Sequence, residues 1–430
     1  MTHFEWAKTV KEWRDKGWKP DGSRPYDFWK REPLRKFFQD HGYTLWISEY
    51  EQGLGDIYNV QLHPPNDEPR RPDGYTFVSR YQCQPGILID KPEFSQANSI
   101  HCPARTIHNQ DVLIRLISID GDATGDDHYE AIRRLSQGQT AFRGDNYALP
   151  LLNELAFSGL RFVVSPLLSF GWKSWFYNVD KILDYLMQIF KGVKFSHDNL
   201  IAHLDLDSDN ILFNFLGGRT RPADTDSDDI GPFRSHFPLR YYINDFELAV
   251  CFDKDSDPAT SKITGLPNIR AGRSGEYARE YAPEMLVGDP YCPFKADVWY
   301  LGQMLHLDMD TEVKGFVEKH LKAIHDDSSF DGVFGKYFAQ DIIRNEQIRQ
   351  AFNEYTNNTN EVDISFPKAT LRMALSLLTM IAQMRTSNPE LQPALSQLVG
   401  SVVEMRRDCS RGVLSDYIGI QRRVVKWENW

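Results

Sequence analysis

An α+β fold is expected, and three observations predict it. Apolar strand-like runs, Asp111–Ile117 and Phe162–Leu167, lie in the first part of the chain. Residues 179–193 switch to helical periodicity, with Ile182, Leu186, Ile189, Phe190 and Val193 at i, i+4, i+7, i+8 and i+11. Short strand-like flanks, Ile211–Phe213 and Leu239–Ile243, then bracket loops rich in Asp and Asn.

The elements follow in chain order. Residues 1–74 form an N-terminal extension holding Trp6, Trp13, Trp18, Trp29 and Trp46 among many charges, and large aromatics at irregular spacing are expected to pack rather than stay in water. Asp111–Ile117 is an apolar strand carrying Arg115, and His128–Leu135 is a helix carrying Glu130. The 179–193 stripe is core, not a ligand box. Residues 217–238, with Asp224, Asp226, Asp228 and Asp229, read as a solvated polar insertion, and 325–368 as a second insertion. Leu371–Met384 is apolar enough for a late buried helix, and residues 409–430 form a tail.

The chemistry-bearing residues sit in the loops. His203-Leu204-Asp205 is followed by Asn210, and Ile243-Asn244-Asp245-Phe246-Glu247 comes later. A transferring phosphoryl group has its barrier lowered mainly by positioning and by metal ions, which calls for a base beside the acceptor and oxygen ligands for Mg²⁺. Further on, Ala282-Pro283-Glu284 precedes Asp297-Val298-Trp299-Tyr300-Leu301-Gly302.

These boxes, in this order, resemble the eukaryotic protein-kinase family, with its catalytic loop, D-F-G and A-P-E signatures. The resemblance implies a two-lobed fold: a mostly β N-lobe over residues 75–166, a mostly α C-lobe over 167–408, and ATP with Mg²⁺ in the cleft. It implies that Asp205 orients the acceptor hydroxyl, that Asn210 and Asp245 hold the metal, and that buried Asp297 braces the catalytic loop. Arg115 stands at the family's lysine position and is expected to contact phosphate and pair with Glu130. Ser165 and Leu167 fall in the interlobe hinge, where the adenine is expected. The implied activity is transfer of the γ-phosphoryl group to a protein hydroxyl.

Several positions depart from the family pattern. A guanidinium at Arg115 is a broad planar fork, not a point charge. Gly86 is the one glycine between Gly74 and Gly121, so no G-x-G-x-x-G precedes the Arg115 strand; the nearest approach is Gly53-Leu54-Gly55 with Tyr58 in the third place. Leu204 replaces the arginine that pairs with a phosphorylated activation segment, although Thr260, Ser261, Thr264 and Ser274 are conceivable acceptors there. Asp207 replaces a lysine, and losing one aligned cation costs about 3–4 kcal/mol in a transition state. Glu247 replaces the glycine of D-F-G, and Gln392 replaces the arginine that would pair with Glu284.

Two alternatives share these residues. A small-molecule kinase of the aminoglycoside or choline phosphotransferase type fits His203-Leu204-Asp205 and Phe246-Glu247, but lacks the Ala282–Gly302 boxes. A pseudokinase, using the fold as a nucleotide-binding or protein-interaction module, accounts for the departures, while the intact Asp205, Asn210 and Asp245 favour catalysis. An EF-hand at Asp205, Asp207 and Asp209 fails at Asn210 and Leu216, which replace the turn glycine and the bidentate glutamate.

Composition bounds the partners. The chain has 430 residues, 41% of them hydrophobic, enough for a large core. Its 49 basic and 60 acidic residues give −11, which argues against nucleic acid as the main partner and leaves a protein substrate or partner. Cys83, Cys102, Cys251, Cys292 and Cys409 show no C-x-x-C spacing and are expected as reduced thiols. With no long apolar run, no membrane association is expected, and an intracellular location, cytoplasmic or nuclear, is the default.

Overall fold

The computed structural model describes residues 5–14, 27–47, 60–66, 68, 71, 73–75, 77–79, 94–96, 99–169, 178–217, 238–273, 277–325, 366–409 and 411–414. Within them, a five-stranded antiparallel sheet stands beside a predominantly helical second half.

The sheet is built from β1 (Tyr43–Leu45), β2 (His101–Thr106), β3 (Asp111–Ile119), β4 (Asn153–Phe157) and β5 (Leu160–Pro166), in the order β1-β2-β3-β5-β4. Its edge strand β1 comes from the stretch read as an extension. Strand periodicity sorts the central side chains. Val112, Ile114 and Leu116 of β3, with Cys102 and Ala104 of β2 and Phe162 and Val164 of β5, face one core. Helices α1 (Val10–Arg14), α2 (Asp27–Lys30) and α3 (Glu32–Asp40) cover that core with Trp13, Phe28, Trp29, Leu34 and Phe38. Trp13 and Trp29 both donate their indole N–H to Ser99 O, at 2.8 and 2.6 Å, so their polar ends are satisfied although the rings are buried. Trp6 and Trp46 join the same cluster, while Trp18 lies outside the described residues.

On the opposite face, Arg115 stands across from His101 on β2 and Val163 on β5, and Ser165 stands across from Leu113. After β3, helix α4 (Asp126–Ser136) crosses over and buries Ala131 and Leu135 in the second core.

That second core belongs to the helical half. Helix α5 (Val179–Asp198) opens at Asn178, whose side chain accepts from Lys181 N at 3.1 Å, and all five stripe residues from Ile182 to Val193 are buried. Strands β6 (Ile211–Phe213) and β7 (Tyr241–Ile243) pair antiparallel, with Ile211 opposite Ile243. Helices α6 (Pro293–His325), α7 (Phe366–Met384) and α8 (Leu395–Asp408) complete it. Of the two insertions, residues 218–237 and 326–365 lie outside the described residues, as do Gly53–Val60's glycines.

Helices α6 and α7 meet closely at Gly302, where an added Cβ would stand 2.7 Å from Met384 Cβ and 2.9 Å from Arg385 Cγ. Gly302→Ala is therefore expected to lower stability by about 1–3 kcal/mol, an overpacking cost that urea denaturation measures. Among the described residues no helix is long and apolar enough to cross a membrane. Cys102, Cys251, Cys292 and Cys409 are unbridged, and Cys83 is outside the described residues.

Candidate functional site

The loop 203–210 is held from below by one side chain. Asp297, on α6 and fully buried, accepts from His203 N and Leu204 N at 2.7 Å each, and contacts His197 Nε2 at 2.9 Å. Leu204 has φ +60°, a left-handed conformation costly for a residue with a Cβ, so the paired amides keep the loop in a shape it would not adopt alone. The Leu204 side chain is buried in the helical core. His203 adds a ring contact to Asn244 O at 2.9 Å, and burial lowers its pKa, leaving it neutral.

Asp205 and Asn210 are joined directly. The Asn210 amide donates to Asp205 O at 2.8 Å and to Asp205 Oδ2 at 3.1 Å. Asp207 caps the 3₁₀ turn Ser208–Asn210 by accepting from Asp209 N at 3.1 Å. Antiparallel pairing of β6 with β7 then brings Asn244 N to Asn210 O at 2.9 Å, which sets Asp245 beside the loop. Asp245 has φ +65°, a second left-handed position. Burial, with the Asp245 charge adding to it, raises the Asp205 carboxyl to about 7 against the pull of Arg279. Asp205, Asn210 and Asp245, separate in sequence, thus share one site.

Arg115 reaches this site from β3. Its Nη2 donates to Asp245 Oδ1 at 2.7 Å and also bonds Glu247 Oε1. Arg115 is only 5% exposed, and its Nε and Nη1 have no hydrogen-bond partner among the described residues. Buried guanidinium donors without partners are costly, which points to an anionic group that belongs there. Burial raises the Asp245 carboxyl, but the Arg115 guanidinium more than offsets this and the net shift is downward, so Asp245 is ionised.

The expected Arg115–Glu130 pair is not formed. Glu130 instead bonds Arg134 one turn along α4, at 2.8 Å, and Arg134 also donates to Phe252 O. Glu247 takes the place expected for Glu130: it lies two residues after Asp245 and bonds Arg115 together with it. Ser165 shares the sheet face of Arg115, whereas Leu167 packs into the tryptophan-rich core. Among the described residues, the buried carboxylate oxygens of Glu284 find no partner, and burial raises its pKa; Gln392 is also buried, with its Oε1 unpaired there.

Four contributors escaped the sequence reading. Arg279 forms an ion pair with Asp205 and lies 3.4 Å from Asp207 Oδ2, which places a cation beside both acids. Arg14 of α1 and Arg273 both bond Glu247 Oε2, at 2.6 and 2.7 Å. His128 on α4 is buried and neutral, its pKa lowered to about 3 by burial and then by Arg115. None of these lies in a motif, so only their position near the site identifies them. Of the conceivable phosphoacceptors, Ser261 is buried with its hydroxyl on Asp257 O at 2.8 Å, and Ser274 is outside the described residues.

Among the described residues no group of three or more His, Cys, Asp and Glu side chains is arranged to hold a metal ion alone. Asp245 and Asn210 would supply two oxygens, a number suited to Mg²⁺ that takes its remaining ligands from phosphate and water. The Arg115 donors next to Asp245, without partners among the described residues, fit a phosphate chain. The sequence matches no protein-family model, and no curated protein is significantly similar to it.

Proposed function

We propose that this chain is a divergent, ATP- and Mg²⁺-dependent protein kinase with a two-lobed fold, the sheet half over the helical half, acting inside the cell on a protein hydroxyl. One observation carries the reading: a buried arginine holding two donors without partners among the described residues bonds Asp245, which follows the strand paired with the one after Asn210, and Asn210 in turn holds Asp205. The order of the Asp205, Asp245 and Ala282–Glu284 boxes supports it independently.

Each residue then has a role. Asp205 accepts the proton of the acceptor hydroxyl through a carboxylate oxygen, and Asn210 holds that carboxylate in place. Asp297 keeps the loop in register. Arg115 neutralises and orients the phosphates, and Arg279 supplies positive charge near Asp205. Bound Mg²⁺ would neutralise developing charge on the phosphoryl oxygens, with Asn210 and Asp245 as its protein ligands.

A pseudokinase is the second reading, favoured by the ion pairs that occupy both acids, Arg279 on Asp205 and Arg115 on Asp245. Titration separates the two. Mg²⁺-dependent ATP binding, measured by calorimetry and thermal shift, is expected in the wild type and lost in Asp245→Ala. Transfer of labelled phosphate to generic protein substrates, absent in Asp205→Ala, marks a kinase; tight ATP binding without transfer marks a pseudokinase. No ATP response in either protein removes the proposal, and transfer to small alcohols alone moves it to a small-molecule kinase.

A further inference from the structure

Three guanidinium groups converge on the single carboxylate of Glu247. Its Oε1 bonds Arg115, and its Oε2 is shared by Arg14 at 2.6 Å and Arg273 at 2.7 Å. The two oxygens therefore pull in different directions: one toward the nucleotide-side arginine, the other toward α1 and the segment before residue 277. Arg115 in turn divides one amino group between Asp245 and Glu247, while Nε and Nη1 find no partner among the described residues.

We infer that Glu247 is a built-in competitor for anionic ligand at Arg115, and that Arg14 and Arg273 set how strongly it competes. The inference rests on the reading of Arg115 as a phosphate-binding residue. An incoming phosphate oxygen meets a guanidinium whose charge is already shared by two carboxylates, and each of them weakens its attraction. Arg14 and Arg273 draw the Glu247 charge toward Oε2, away from Arg115.

Arg14 is firmly held where it can do this. Trp13 beside it is fully buried, and Val10 N donates to Asp122 Oδ2 at 2.7 Å. A small cavity of about 50 Å³, lined by Lys11, Arg14, His128, Glu247, Gly272 and Arg273, adjoins the cluster. It gives the Glu247 side chain room to turn when Arg115 is claimed by ligand. Helix α1 is thus part of the phosphate site and not only a cover for the sheet.

The test measures affinity for MgATP and for inorganic tripolyphosphate in the wild type, Glu247→Gln, Arg14→Ala and the double variant, with Arg273→Ala as a control for local unfolding of α1. Glu247→Gln is expected to tighten both ligands by about tenfold, the scale of one charge removed from a buried cluster. Arg14→Ala and Arg273→Ala are each expected to weaken binding by about threefold in the wild type, and Arg14→Ala to change nothing once Glu247 is Gln. Folded Glu247→Gln with unchanged or weaker affinity overturns the inference, as does an Arg14→Ala effect that persists in the double variant. MgATP binding that needs Asp245 but ignores Glu247→Gln sinks the competition and leaves the kinase reading intact. Tripolyphosphate that follows the expected pattern while ATP gains nothing over it does the reverse. No binding of either probe to any variant overturns both.

Discussion

Asp205→Asn is expected to cut phosphotransfer by about 10²–10⁴-fold and, in the same protein, to raise thermal stability at pH 8. The opposite signs have one cause. Burial raises the Asp205 carboxyl to about 7, so the folded state holds a proton that the unfolded chain releases near the ordinary aspartate value of about 4. Below about pH 4 both states are protonated and no stability is lost. From there to about 7 the unfolded chain alone ionises, and the folded state loses about 1.4 kcal/mol per pH unit, at most about 4 kcal/mol in all. Above 7 the loss is constant. Asn has no proton to release, so the difference in melting temperature, variant minus wild type, should grow from pH 4.5 to 7 in metal-free buffer. A flat difference would show that Asp205 is ionised at ordinary pH, with Arg279 outweighing burial. The kinetic counterpart is an acid limb near pH 7 in kcat/KM for the wild type.

Asp297→Ala is expected to cost about 3–5 kcal/mol and to abolish activity with it. The Asp297 carboxylate, wholly buried, is the acceptor for two backbone N–H groups and contacts His197. Alanine would leave His203 N and Leu204 N without acceptors in an apolar surround, and would release Leu204 from its left-handed conformation. Asp297→Asn keeps one carbonyl oxygen and should lose roughly half as much, since its amide nitrogen cannot accept a hydrogen bond. Denaturant unfolding gives the stability change, and hydrogen exchange at residues 203–204 reports the loop directly. Fast exchange there in Asp297→Ala, with α5 still protected, would mark loop release; protection equal to wild type would refute the bracing account.

Much of the site was legible because it depends on short-range chemistry. His203, Asp205 and Asn210 lie within one turn-forming stretch, and the Asn210–Asp205 bond spans five residues. The strand flanks Ile211–Phe213 and Leu239–Ile243 were readable from apolar, β-branched and aromatic runs, and their pairing delivers Asp245 to the loop. The 179–193 periodicity likewise identified the buried face of α5. The Glu130 expectation failed for a different reason. Helical spacing permits both a long-range pair with Arg115 and an i, i+4 pair with Arg134, and nothing in the local pattern ranks them.

By itself the sequence determined the local elements and the charge-bearing loops, since periodicity and turn chemistry act over a few residues. Only the tertiary structure decided which charges meet. Arg14, Arg115, Arg273 and Glu247 come from four distant segments, and ion pairs depend on distance in space and on burial, neither of which a linear pattern carries. The same holds for the tryptophans. Composition predicted burial, but the sheet face alone decided that α1 would dock with Trp13 inward and Arg14 turned to the acid site.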